Sequence, residues 1–198
     1  WCGVAIWDWA PRKACVSRPT PRLLPSFRAV NGSIASCETV NNPSATAPRS
    51  VEAVVIGASA GGVEALGELL SALPASFSLP IVVVMHLLPT TESLLVEVLR
   101  VRCTLPLKEA CDKEHICGGT VYVAPPGYHL LVEADRSLAL SVDPPVNYSR
   151  PSIDVLFESA AYACRERLLG IVLTGANEDG ARGLATIRAF GGLAWVQD

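Results

Sequence analysis

The sequence predicts an α/β fold: a doubly wound, mostly parallel sheet with helices on both faces and a small antiparallel hairpin insertion. Three observations carry this. From Val51 onward, short apolar runs alternate with segments of helical period. The apolar runs are solid rather than alternating, so both faces of each strand are buried, as in a parallel sheet. The first run leads directly into a glycine-rich turn, Gly57-Ala58-Ser59-Ala60-Gly61-Gly62, and then into a helix-like segment.

In chain order, Val51 to Ala58 reads as a strand and Val63 to Leu73 as a helix. Pro80 to Met85, with its core Ile81-Val82-Val83-Val84, reads as a buried strand. Thr91 to Arg102 reads as a helix with Thr91 as N-cap. Lys108 to Tyr128 holds short strands and turns. Tyr128 to Glu133 and Ser137 to Val142 suggest a hairpin, with Asp135 and Arg136 near its turn. Ser152 to Arg167 reads as a helix, Leu169 to Thr174 as a strand, Asp179 to Phe190 as a helix and Leu193 to Val196 as a last strand.

Composition bounds the function classes. Half the residues are apolar and only 18% are charged, enough to bury the core of about one domain. The net charge of −3 and the lack of a basic cluster give no nucleic-acid footprint. No apolar run reaches the ~18 residues of a membrane span, so no membrane insertion is expected. The seven cysteines are odd in number and form no C-x-x-C pair, which reads as reduced thiols of a cytoplasmic protein. Cys111, His115 and Cys117 would supply three zinc ligands, but the fourth ligand and the usual spacing are missing.

Residues 1–50 differ from the rest. They hold Trp1, Trp7, Trp9 and six prolines (Pro11, Pro19, Pro21, Pro25, Pro43 and Pro48), with no lasting helical or strand period. They read as a disordered or artefactual leader without a signal-peptide pattern. Residues 51–198 read as one catalytic domain, cut short after its last strand.

Three polar groups fall where three apolar strands end: Ser59, His86 and Asp179. Parallel neighbours would turn all three toward one crevice. A serine hydroxyl needs a base to become a nucleophile. An imidazole serves at physiological pH, and a carboxylate fixes its tautomer. Each residue also has a plainer reading: Ser59 as a turn or N-cap residue, His86 as a satisfied strand-end histidine, Asp179 as the cap of the helix after it. His129 is a second candidate base or a residue at the rim. His115 sits in a charged turn and reads as solvated. Asp154 reads as support for the first turn of its helix. Two phosphate-binding readings of the glycine turn fail. No G-K-[ST] closes it, and Ser59 occupies the place of the second glycine of a dinucleotide fingerprint.

Five ordered motifs resemble the catalytic domain of the chemotaxis protein-glutamate methylesterases, the CheB family. They are Val55-Ile56-Gly57-Ala58-Ser59-Ala60-Gly61-Gly62, Val84-Met85-His86, Val123-Ala124-Pro125-Pro126-Gly127-Tyr128-His129, Arg150-Pro151-Ser152-Ile153-Asp154-Val155-Leu156-Phe157 and Leu173-Thr174-Gly175-Ala176-Asn177-Glu178-Asp179-Gly180-Ala181. The resemblance implies Ser59 as nucleophile, His86 as base, Asp179 as orienting acid, and the backbone amides of Ala60 and Ala176 as oxyanion donors. It implies hydrolysis of glutamyl methyl esters on the cytoplasmic helices of methyl-accepting chemoreceptors, with release of methanol. It also implies deamidation of glutamine in some members, and no cofactor. Ala60 and Ala176 stand where several members carry threonine and methionine. Residues 1–50 are too short for the receiver domain that many members carry, so phosphorylation control is not expected. Two alternatives stay open at this point: a truncated, non-catalytic relative acting as a binding module in a signalling assembly, and a nucleotide-binding α/β protein.

Overall fold

The computed structural model describes residues 26–30, 50–59, 61–86, 94–174 and 178–197. Nine strands are assigned among these: β1 (Phe27–Ala29), β2 (Ala53–Ala58), β3 (Ile81–Met85), β4 (Leu107–Glu109), β5 (Val121–Val123), β6 (His129–Val132), β7 (Leu138–Ser141), β8 (Leu168–Val172) and β9 (Leu193–Gln197). The α-helices are α1 (Gly62–Ser71), α2 (Leu95–Arg100), α3 (Ile153–Cys164) and α4 (Ala181–Ala189).

Seven strands form one sheet in the order β1-β9-β8-β2-β3-β5-β4. All its pairs are parallel except β1 with β9. β6 and β7 form a separate antiparallel hairpin, as the sequence predicts. The chain runs from β2 outward through β3 to β5 and later returns to β8 on the other side of β2. The direction of winding therefore reverses at β2, where open α/β sheets form their ligand crevice.

The solid apolar runs serve two cores at once. Ala53, Val55, Val82, Val84 and Tyr122 face α3, α4 and the hairpin. Val54, Ile56, Ile81, Val83, Val121 and Val123 face α1 and α2. Neighbours along β2 alternate between the two cores, so no position on that strand can be polar. On α1 the buried stripe is Ala65, Leu66 and Leu70, while Glu64 points to solvent. Fully burying a leucine such as Leu66 or Leu70 contributes about 1.5–3 kcal/mol.

All four helices begin or end differently from the sequence expectation: α1 runs Gly62–Ser71 rather than Val63–Leu73, and α3 and α4 differ for local reasons. α3 stops at Cys164 because Arg165 takes φ 51°, and a 3-10 turn covers Arg165–Arg167. α4 starts at Ala181 rather than Asp179, because Gly180 takes φ 103° and the Asp179 side chain is turned toward α3. α2 covers less than the predicted Thr91–Arg102, and the Thr91 cap lies outside the described residues. The leader also departs from expectation at one place. Phe27–Ala29 pairs with Trp195–Gln197 at the edge of the sheet, and Phe27 packs against the Trp195 ring. Three residues are too few to show a strand period. Among the described residues no helix is long and apolar enough to cross a membrane.

Candidate active site

Ser59 stands at the carboxyl end of β2. Its amide donates to Thr174 O at 3.2 Å, and its carbonyl accepts from Gly62 N at 2.8 Å, which closes a tight turn into α1. Gly61 makes that turn at φ 79°, a conformation that costs other residues a Cβ clash. Strand register supplies the neighbours. Ala58 pairs with Met85 on β3 and Gly57 with Val172 on β8, so the residues just beyond, His86 and Thr174, flank Ser59. The His86 amide extends the ladder by donating to Ala58 O at 3.1 Å.

The side chains meet above this frame. His86 Nδ1 lies 3.3 Å from Ser59 Oγ, and His86 Nε2 lies 2.8 Å from Asp179 Oδ2. An ionised carboxylate only accepts, so Nε2 carries the proton. The neutral ring then presents its Nδ1 lone pair to the serine. The ring is reversed relative to the familiar arrangement in which Nε2 faces the serine. The 3.3 Å separation is long for a hydrogen bond to oxygen, as is common before substrate arrives.

Asp179 is held from several sides, with its side chain fully shielded from solvent. Oδ2 accepts from His86 Nε2 and, at 2.7 Å, from the amide of Ile153. Oδ1 accepts from Ser152 Oγ at 2.8 Å, Asn147 Nδ2 at 2.9 Å and the amide of Asp154 at 3.1 Å. The carboxylate therefore sits on the N-terminus of α3, where the helix dipole favours negative charge. Burial alone would push its pKa up. The hydrogen bonds from His86, Asn147, Ile153 and Ser152 outweigh burial and hold the carboxyl well below the usual carboxylate range.

The plainer reading of Asp179, a cap for the helix that follows it, is thus replaced by a cap for α3. The converse holds for Asp154. It was expected to support its own helix, α3. Instead its Oδ1 accepts from the amides of Gly180 at 2.9 Å and Gly183 at 2.7 Å, at the start of α4.

His129 is buried rather than at a rim. It is 1% exposed, its Nε2 donates to Pro144 O at 3.1 Å, and its Nδ1 accepts from Ser152 N at 3.2 Å. Both ring nitrogens are engaged, and the ring fixes the backbone at Ser152. His115 is exposed, as expected. Ala60 and Ala176, the expected oxyanion donors, lie outside the described residues. Among the described residues no group of three or more metal-ligating side chains converges.

Sequence reasoning missed Asn147 and Ser152 as ligands of Asp179, and missed which imidazole nitrogen faces the serine. Ser152 was detectable in principle, as a serine directly preceding a helical run is positioned to act at a helix start.

Comparisons with known proteins give the family and the fold. Residues 54–198 match the family model described as CheB methylesterase. A putative protein-glutamate methylesterase/protein-glutamine glutaminase of Leptospira interrogans is 50% identical over 147 residues, covering 74% of this chain and 76% of that protein. A protein-glutamate methylesterase/protein-glutamine glutaminase of Trichodesmium erythraeum is 42% identical over 75% of this chain, but the match spans only 43% of that longer protein. The crystal structure of the Thermotoga maritima CheB methylesterase catalytic domain superposes with a TM-score of 0.70 at 34% identity, covering 73% of this chain and 78% of that one. The strand-end serine, histidine and aspartate thus lie on a fold and sequence shared with methylesterases, and this chain belongs to the CheB methylesterase family.

Proposed function

We propose that this chain is a serine hydrolase that removes methyl esters from glutamate side chains on the cytoplasmic helices of methyl-accepting chemoreceptors, releasing methanol. The observation that carries this is the hydrogen-bonded relay Ser59–His86–Asp179 in a chain of this family. Residues 51–198 are the catalytic unit, residues 1–50 its leader, and the cytoplasm its place of action.

Ser59 Oγ attacks the ester carbonyl while His86 Nδ1 takes its proton. The backbone amides of Ala60 and Ala176 hold the oxyanion, each worth roughly 3–4 kcal/mol. The intermediate collapses, the C–O bond to the methoxy group breaks, and His86 returns the proton so that methanol leaves. Water then attacks the acyl-serine, with His86 again taking the proton, and the glutamate carboxylate and free Ser59 result. Asp179 holds the Nε2–H of His86 throughout and stabilises the imidazolium formed in each half. A glutamine side chain would follow the same course with ammonia leaving, consistent with the double name of the relatives.

The test is methanol release from a methylated chemoreceptor cytoplasmic fragment. Catalytic release that stops when the methylated glutamates are replaced by alanine is expected. No release, with the fragment bound, would favour a non-catalytic binding module.

A further inference from the structure

We infer that Asn147 is a positioning residue for the triad acid, its side-chain amide bridging Asp179 and Asp154. This rests on the reading of Ser59, His86 and Asp179 as a catalytic triad. Asn147 Nδ2 lies 2.9 Å from Asp179 Oδ1 and 2.9 Å from Asp154 Oδ2. Both neighbours are carboxylate oxygens, so the amide must present its NH₂ group, one N–H to each.

The arrangement divides the work at Asp179. Oδ2 serves His86, and Oδ1 is tied by Asn147, Ser152 and the Asp154 amide. Fixing Oδ1 stops the carboxylate from rotating and keeps Oδ2 on Nε2. The same amide occupies Asp154 Oδ2, while Asp154 Oδ1 holds the start of α4, the segment that carries Asp179. Asn147 therefore acts on the acid directly and through its support.

A competing explanation is local. Asn147 and Tyr148 take φ 51° and 61°, and Val146 and Ser149 exchange backbone hydrogen bonds at 3.1 and 2.9 Å across them. Such a turn favours asparagine at its first position for conformation alone. Glycine separates the two explanations, since it keeps the turn and removes the amide. Aspartate keeps the shape and replaces the donor by an acceptor.

The experiment follows phosphonylation of Ser59 by a fluorophosphonate and steady-state methanol release, in the full chain. Asn147→Gly is expected to slow labelling and lower kcat about ten- to a hundredfold, the scale of a small misplacement of a catalytic group. KM should stay unchanged. Asn147→Asp should lose at least as much at pH 8, and it decides the matter if the glycine variant does not fold. Wild-type labelling rates in the folded variants would overturn the inference and leave the triad standing. A wild-type chain that takes no label would overturn the triad reading itself.

Discussion

Asp154 and Asp179 cap each other's helices. Asp154, in the first turn of α3, accepts the Gly180 and Gly183 amides at the start of α4. Asp179, just ahead of α4, accepts the Ile153 and Asp154 amides at the start of α3. The Asp179 carboxylate is thereby fixed by the same contacts that lock two helices together, and it also accepts from His86 Nε2.

Removing the supporting carboxylate should therefore affect both stability and turnover. Asp154→Ala leaves the buried amides of Gly180 and Gly183 without their acceptor, at about 1–3 kcal/mol for each unpaired donor. Denaturant unfolding should show the loss, and kcat should fall because the segment bearing Asp179 loses its anchor. Unchanged unfolding would show that α4 does not depend on this cap.

Asp179→Asn keeps the shape of the acid and removes its charge. It should lower kcat on the order of 10⁴-fold, against about 10⁶-fold for Ser59→Ala, because it disturbs tautomer and orientation but leaves the nucleophile. Steady-state methanol release from both variants makes the comparison. Equal losses would mean that Asp179 does more than orient His86.

The same carboxylate should shape the stability profile against pH. Its folded pKa lies below the unfolded value of about 3.9, so the folded chain binds fewer protons in that window. The stabilisation is complete above the unfolded value and is lost as pH falls through the folded one. In a His86→Ala background, which removes the imidazole's own titration, the stabilisation by Asp179 relative to its Asp179→Asn variant should shrink below about pH 4. A difference that grows on acidification would contradict the hydrogen-bonded, ionised state of Asp179.

Gly57→Ala tests the close approach of α3 to β2. A Cβ there would lie 2.3 Å from Ile153 Cγ2, on a β-branched side chain that is stiff at χ1. The substitution should cost about 1–3 kcal/mol and slow serine labelling, since the Ile153 amide holds Asp179. A calorimetric Tm equal to wild type would show that α3 yields without strain.

The two histidines should part company. His86→Ala removes turnover, whereas His129→Gln loses stability but keeps serine labelling within about tenfold of wild type, because His129 only braces Pro144 O and Ser152 N. Loss of labelling in a well-folded His129→Gln would assign that ring a catalytic part.

The sheet and the placement of Ser59, His86 and Asp179 were legible in the sequence for one reason. Each residue directly follows or closely trails a solid apolar run, and parallel neighbours bring their ends together. Asn147, Ser152 and Asp154 were not legible as a group, because their meeting depends on how α3 is laid against the β8–α4 connection. No local period encodes that approach. His129 was ambiguous because a histidine at the start of a short strand looks the same whether its ring is braced or catalytic. β1 escaped notice because Phe27–Ala29 is a strand only by virtue of the β9 edge it covers.

The role of Ser59 as nucleophile is tested by locating the covalent adduct formed with a fluorophosphonate, by peptide mass mapping of wild type and His86→Ala. A single adduct on Ser59 is expected, forming rapidly in wild type and lost in His86→Ala. An adduct on another residue, or equal labelling of Ser59 without His86, would contradict it.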